Sequence, residues 1–420
     1  MGRRGKNGGG SRAGGGYWVI LRRTAAPPAP PVLPAGGGSL GGRPFPYEIR
    51  MILQHLSIAN YRNIEQAELA FSPNVNCLVG ANGMGKSNVL DAVYYLAFCH
   101  GFAAAQDALN VRHEADFFML DAAFRLPDGA GRRVVCSLKR GCRKRLRIDG
   151  KDVRRLSEHI GRVPLVMIAP ADAALITGGS EERRRFMDMT VAQYDAPYLE
   201  ALMRYERTLK QRNALLKQED EPDAGVMDVL EGMMEADAAR IYAARRDFAE
   251  RFLPLYRRMY LRLSGAEGEE VSAEYTSHCA RGPLGPQLSQ WRAKERIVGY
   301  TLHGVHKDEL ELTLGGYALK REASQGQQKT CLIALKLAQY LFLKEEGEAR
   351  MPLLLLDDIF DKLDAGRVAR IIDYVGGDDF GQIFITDTRR EHLDRILEHT
   401  RRSYKLFDVE DGRVTERVSK

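Results

Sequence analysis

Gly80-Ala81-Asn82-Gly83-Met84-Gly85-Lys86-Ser87 follows the apolar run Val75–Val79 and leads into a helix-compatible stretch from Lys86 to about Phe98. Glycines at this spacing let successive backbone N–H groups curl around an anion, and the start of the helix adds the positive end of its dipole. Strand, Gly-x-x-x-x-Gly-Lys-Ser and helix together form the phosphate-loop pattern. In it Lys86 reaches the β and γ phosphates of ATP and the Ser87 hydroxyl ligates Mg²⁺, so Gly80 through Asn88 are candidate nucleotide contacts. A unit of this kind implies an α/β fold with a parallel sheet.

The second half of the chain supplies what such a loop needs. Residues 353–356 are four leucines that deliver Asp357-Asp358 to the end of a buried strand. Asp357 would hold Mg²⁺ directly or through water, and Asp358 would polarise the attacking water; a helix cap is the alternative for an isolated pair. Asp361-Lys362-Leu363-Asp364 follows, with Asp364 a candidate to cross a subunit interface. Thr386 ends the next strand where a γ-phosphate sensor would lie. The ordinary alternatives there are a turn and a strand end. Ser324-Gln325-Gly326-Gln327-Gln328-Lys329 opens a helix, so the Ser324 hydroxyl and Gly326 N–H would present an anion site at its N-terminus. A plain Ser N-cap would look the same in isolation. Its position after the phosphate loop and before the carboxylate strand points instead to an ATP-binding-cassette signature. Lys86, Asp358 and Ser324 are thus the catalytic candidates.

Composition narrows the setting. At 420 residues and 44% hydrophobic content the chain can build two or three domains around a sizeable core. No window reaches the roughly 18 uninterrupted apolar residues of a membrane span. The apolar run at 17–21 is shorter than the roughly 7–15 residues of a signal-peptide core, and the chain reads as cytoplasmic. Cys77, Cys99, Cys136, Cys142, Cys279 and Cys331 lack paired short spacings, which argues against a zinc site or a disulfide framework. The net charge of +6 is misleading: residues 1–50 carry eight Arg or Lys and one acid, leaving 54 basic against 55 acidic residues beyond them. Affinity for nucleic acid in the folded part must therefore come from local clusters.

Residues 1–50 hold 13 Gly and 7 Pro, a composition that cannot offset the entropy of ordering, and read as a disordered basic leader. Regular patterning starts at Met51, which makes Met51 the alternative start of the functional chain. Residues 52–58 partly alternate at strand period, strand, turn and strand are expected from Met51 to about Val79, and 118–149 read as strands joined by turns such as Asp128-Gly129 and Asp149-Gly150, with a short buried strand at 163–168. Within 166–298 the stretch 181–262 is apolar at helical spacing (Leu199, Leu202, Met203, Leu209) and is broken near Pro222 and Gly225. Strands are expected at 271–275, 309–314, 353–356 and 382–386, with helices at 327–344, 367–374 and 390–399. The expected architecture is an ABC-type P-loop ATPase head, its halves at 51–165 and 299–420, with an inserted, largely helical second lobe at 166–298.

Residues 51–420 resemble the RecF family of bacterial recombination mediators, relatives of the SMC and break-repair ATPase heads. The likeness is carried by Leu56-Ser57-Ile58-Ala59-Asn60-Tyr61-Arg62-Asn63-Ile64, by the segment 88–96, by Arg183-Arg184-Arg185-Phe186-Met187-Asp188, and most specifically by 324–339. One departure is Gly304-Val305-His306-Lys307-Asp308-Glu309, where the family has Gly-Pro-His-Arg-Asp-Asp; Lys307 cannot supply a bidentate arginine fork. The resemblance implies an ATP-dependent homodimer in which Ser324 of one subunit closes over the nucleotide held by Lys86 of the other. It also implies nucleotide contacts from Arg62 and Gln327, and a weak, DNA-stimulated ATPase that times release. The implied substrates are single-stranded and gapped double-stranded DNA in replication, repair and the SOS response. The implied partners are RecR with RecO, and a RecA-type recombinase loaded at gaps.

Lys139-Arg140-Gly141-Cys142-Arg143-Lys144-Arg145 is the densest basic run beyond the leader. It could lay cations along a DNA backbone or form a solvated hairpin. It lacks interleaved aromatics, so phosphate contact rather than base stacking is the expectation. Two competing readings share the ATPase motifs. An SMC-like structural head needs a long coiled coil between the motifs, but only 236 residues separate Ser87 from Ser324. A membrane-transporter ATPase explains the signature but not the segments at 56–64 and 88–96.

Overall fold

Period-two burial begins at once: β1 (Ile52–Tyr61) and β2 (Ile64–Ala70) pair as an antiparallel hairpin that buries Leu56, Ile58, Ile64 and Leu69. The computed structural model describes residues 50–102, 106–265, 268–347, 351–360, 363, 365–388 and 403–417. The leader before Arg50, the helix expected at 390–399, and Asp361, Lys362 and Asp364 lie outside the described residues. β3 (Val75–Val79) runs into the glycine loop and α1 (Lys86–Phe98), both bounded as the sequence predicts. β4 (Phe117–Arg125), β5 (Gly131–Lys139), β6 (Arg145–Ile148) and β7 (Lys151–Asp152) extend the hairpin into a six-stranded sheet of order β2-β1-β4-β5-β6-β7. Val89, Val93 and Leu96 of α1 share one core with the inner face of this sheet.

β8 (Leu165–Ile168) precedes the helical part: α2 (Ala174–Thr177), α3 (Ser180–Val191), α4 (Ala196–Leu216) and α5 (Ala224–Ser264). The predicted break falls between α4 and α5, where Asp223 caps α5 through Val226 N–H at 2.9 Å. α5 then continues through Pro254, because Phe248, Phe252, Leu255, Tyr256 and Met259 are all buried along one face and packing outweighs one missing hydrogen bond. β9 (Val271–Thr276) and β10 (Glu309–Leu314) flank α6 (Leu284–Val298), a helix the sequence reading left out. Gly285 and Pro286, residue types common in turns, occupy its first turn, where a missing N–H costs nothing.

After β11 (Tyr317–Ala318) and α7 (Leu319–Glu322) come α8 (Gln325–Glu346), β12 (Leu353–Asp357), α9 (Ala365–Val375) and β13 (Ile383–Asp387). β14 (Tyr404–Glu410) and β15 (Arg413–Arg417) were also not anticipated; Tyr404, Lys405 and the Asp411-Gly412 turn mask their apolar content. The second sheet has the order β15-β14-β3-β13-β12-β8, parallel except for β15. Its inner strands β12 and β13 are buried at every position, as a parallel sheet covered on both faces requires. The α/β class and the inserted helical lobe expected from the sequence are both present.

A buried ion network ties the helical part together. Arg245 on α5, 2% exposed, donates to Asp188 (2.8 Å), Asp308 (2.7 Å) and the Val305 carbonyl (2.8 Å). Arg184 donates to the Asp308 carbonyl at 2.7 Å, and Arg183 forms a two-pronged pair with Glu309 at 2.7 and 2.9 Å. Arg183, Arg184 and Asp188, quoted above for the family resemblance, are therefore structural, and segment 304–309 is their counterpart. Lys307 stays exposed with its ammonium over the Tyr300 ring. His306 is packed between Tyr205, whose hydroxyl lies 2.8 Å from Nδ1, and the Thr301 carbonyl, 3.1 Å from Nε2. The carbonyl can only accept, so the proton sits on Nε2.

Arg245→Met should lower unfolding free energy by about 3–5 kcal/mol, because it leaves Asp308 buried without its cation; urea denaturation measures this. Burial, with Lys307, Arg184 and His278 adding to it, pushes the His306 pKa down to about 4. The unfolded chain therefore binds the proton more readily. This contribution to stability is complete above about pH 6.5 and is lost as pH falls towards 4, by about 3 kcal/mol. Denaturation curves for His306→Asn should lack that part of the slope.

Candidate nucleotide-binding site

Parallel pairing sets the ends of three strands side by side: Asp357 lies opposite Thr386, and Thr386 opposite Leu78 just before the glycine loop. Asp357 Oδ1 accepts from the Ser87 hydroxyl at 2.8 Å and from the Thr386 hydroxyl at 2.7 Å. Thr386, fully buried, also accepts Asp358 N–H at 3.0 Å. It thus holds the Asp357 carboxylate and the Asp358 backbone, and it is not among the residues lining the cleft. Asp358 adopts φ 48°, a left-handed conformation that turns the chain sharply as it leaves β12. Asn82, Gly83, Gly85, Lys86, Ser87, Asn88, Asp357 and Asp358 line a cleft over the loop.

Lys86 Nζ donates to the carbonyls of Gly80 (2.7 Å) and Ala81 (2.8 Å). Burial lowers its pKa, while Asp358, Asp357 and Asp387 oppose that shift. Burial raises the pKa of Asp357, and Asp358 adds to the rise; the Thr386 and Ser87 hydroxyls and Lys86 pull the other way. Two neighbouring carboxylates in a dry site face one ammonium, a balance that a divalent cation would relieve. Ser87 Oγ and Asp357 Oδ1 are oxygen donors of the kind Mg²⁺ takes. Among the described residues no cluster of three or more His, Cys, Asp or Glu could hold a metal ion by itself. That suits a cation completed by phosphate and water rather than by a protein cage.

The loop is braced from outside by residues that the sequence reading did not single out for the site. Gly85, at φ 111°, leaves room for the Asn63 carboxamide, which an added Cβ would meet at 2.7 Å. Asn63 donates to the Met84 carbonyl at 3.2 Å and accepts from Asn88 at 2.7 Å. From the β14–β15 turn, Gly412 N–H donates to the same Met84 carbonyl at 2.9 Å. Gly412 has φ 77°, and a Cβ there would stand 2.3 Å from the Asn63 carbonyl oxygen. Asn63 could have been suspected from its place after Arg62; nothing local marks Gly412.

The remaining candidates divide. Arg62 is fixed by Asp91 of α1, its Nε 2.7 Å from the carboxylate that also accepts from the Tyr61 hydroxyl at 2.7 Å. Its Nη2 is buried without a partner. Ser324 caps α8 in a closed capping box: its Oγ accepts Gln327 N–H at 3.3 Å and Gln327 Oε1 accepts Ser324 N–H at 2.9 Å. The Gln327 NH₂ group donates to Glu269, and Arg367 packs against Gly326. Neither Ser324, Gly326 nor Gln327 lines the cleft of its own chain. In the basic run, Arg140 donates to the carbonyls of Ala115, Val111 and Ala108. Lys144 donates to the Cys99 carbonyl and pairs with Asp107 at 2.6 Å. Arg145 faces Asp152 at 3.6 Å, while Lys139 and Arg143 are exposed.

The family model described as the RecF/RecN/SMC N terminal domain matches residues 52–415. The DNA replication and repair protein RecF of Phocaeicola vulgatus is 53% identical over 367 residues, covering 87% of this chain and 99% of the relative. That of Porphyromonas gingivalis is 48% identical over 365 residues, 87% and 100% respectively. A solved structure of the recombination mediator protein RecF with ATP in the RecFOR pathway has a TM-score of 0.79 at 25% identity, covering 88% of this chain and 98% of that one. An Smc head domain from Pyrococcus furiosus shares the fold, with a TM-score of 0.52, 17% identity and coverage of 87% and 96%. The ABC-type head inferred from the loop, carboxylate strand and signature is thus the fold found. With relatives near half identity along almost their whole length, the chain belongs to the RecF family.

Proposed function

We propose that this chain is an ATP-driven switch of DNA repair, replication and recombination: two copies close on ATP, the closed dimer holds DNA at gaps, and slow hydrolysis releases it. The observation that carries the reading is the convergence of Ser87, Asp357 and Thr386 beneath the phosphate loop, with the Ser324 turn outside that cleft. A site with its catalytic base and cation ligands in one copy and its signature elsewhere is completed by a second copy. Lys86, freed from the Gly80 and Ala81 carbonyls, would neutralise phosphate charge, and the backbone of 80–88 would cradle it. Asp357 and Ser87 would hold Mg²⁺, which would supply positive charge to offset that of the phosphates. Asp358 would orient the attacking water, and Thr386 would hold the Asp357 carboxylate and the Asp358 backbone in place. Arg62, with one nitrogen unspent, would add a contact to nucleotide. Asp364 would cross the interface.

In this reading the head halves 51–165 and 299–420 carry the nucleotide and 166–298 relays its state. DNA contact falls to Lys139 and Arg143, with Arg145 beside them, since Arg140 and Lys144 are committed to carbonyls and to Asp107. DNA stimulation of the weak ATPase, cooperation with RecR and RecO, loading of a RecA-type recombinase in the SOS response and a cytoplasmic location belong to the same proposal. It is supported by family membership; among the described residues no helix is long and apolar enough to cross a membrane.

Sedimentation with ATP tests the switch. Lys86→Arg and Ser324→Arg should both remain monomeric where the parent chain dimerises, and Ser324→Arg should still bind a fluorescent ATP analogue. Dimerisation of both variants would overturn the reading. Affinity for gapped DNA should fall steeply with salt, and Lys139→Ala with Arg143→Ala should flatten the log–log slope by about 1–2, about one for each lost phosphate contact.

A further inference from the structure

The carboxamide of Gln327 can close the capping box only in one of its two flips, with oxygen towards Ser324 N–H and the NH₂ group elsewhere. Glu269, on the segment between α5 and β9, takes that NH₂ group: its Oε1 lies 2.8 Å from Gln327 Nε2. An ionised carboxylate only accepts, so it admits Gln327 in that flip alone. Its other oxygen accepts the hydroxyl of Tyr260, which is buried in the last turns of α5. Tyr260, Glu269, Gln327 and Ser324 form one hydrogen-bonded relay from the longest helix of the helical lobe to the signature turn. The same helix end is gripped from α9, where Arg370 donates to the carbonyls of Leu263 (2.8 Å) and Ser264 (3.0 Å).

We infer that Glu269 is a positioning residue for the signature: it fixes the Gln327 flip, and through it the Ser324 turn, in the form that closes over nucleotide held by a second copy. Glu269 touches neither the phosphate loop nor the cleft of its own chain, so it acts on closure and not on nucleotide capture. With Glu269 removed, the Gln327 amide can turn over. Ser324 N–H then loses its partner and the hydroxyl its fixed aim. The inference rests on the sandwich reading above.

The test compares Glu269→Ala, Glu269→Gln, Gln327→Ala and the double variant Glu269→Ala/Gln327→Ala, with Ser324→Arg as control. Each full-length chain is assayed for binding of a fluorescent ATP analogue as monomer, for dimerisation with ATP by sedimentation, and for melting temperature. Glu269→Ala should bind the analogue within about twofold of the parent and weaken dimerisation by about tenfold, the size of one lost charge-assisted hydrogen bond. Glu269→Gln, whose amide oxygen still accepts from Gln327, should restore dimerisation to within about threefold. The double variant should be no worse than Gln327→Ala alone. If Ser324→Arg still dimerises, the sandwich reading falls and this role with it. If Ser324→Arg stays monomeric while Glu269→Ala dimerises like the parent, or if the losses in the double variant add, the positioning role alone is overturned. Should Glu269→Ala melt early, Glu269→Gln and Gln327→Ala still decide: a monomeric Glu269→Gln that binds the analogue and melts normally contradicts the inference.

Discussion

One carboxylate oxygen holds the site in register. Asp357 Oδ1 takes hydroxyl protons from Ser87, in the first turn of α1, and from Thr386, at the end of β13, so three elements far apart in sequence meet at one atom. Burial makes the charge on Asp357 costly, and the two hydroxyls together with Lys86 offset that cost. The parallel ladder supplies the alignment, since a one-residue slip of β12 against β13 would send the carboxylate to the opposite face.

The helical part uses charge differently. Around Arg245 and Arg183 the ion pairs are buried or half-buried and hydrogen-bonded, which makes the packing of α3, α5 and the 304–309 segment specific rather than merely cohesive. The arginine-rich segment 183–188, which carries part of the family resemblance, belongs to the scaffold. In the basic hairpin the same division runs residue by residue, because Arg140 and Lys144 donate to backbone carbonyls of the surrounding turns.

Much of this was legible beforehand for physical reasons. β3, α1 and β10 have the predicted bounds, because strong period and glycine punctuation coincide at their ends. Ser87, Asp357 and Asp358 converge because a parallel sheet forces the ends of its strands together. The brace formed by Asn63 and Gly412 was not legible, since its partners are joined only by tertiary contact and a glycine in a polar turn has many possible reasons to be there. The strand-end position of Thr386 suggests a γ-phosphate sensor; that its hydroxyl turns to Asp357 depends on side-chain direction, which spacing does not encode.

The β14–β15 turn also changes what it means for the phosphate loop to be complete. β14 lies parallel to β3, with Asp408 beside Val79, and the turn beyond it reaches back 327 residues to Met84. Contacts of such separation form late, after the entropy of closing the intervening chain has been met. The residues of the loop motif are made long before the turn that braces them. The shape of the loop is then set by a segment more than three hundred residues downstream of it, and the loop motif alone does not carry its own brace.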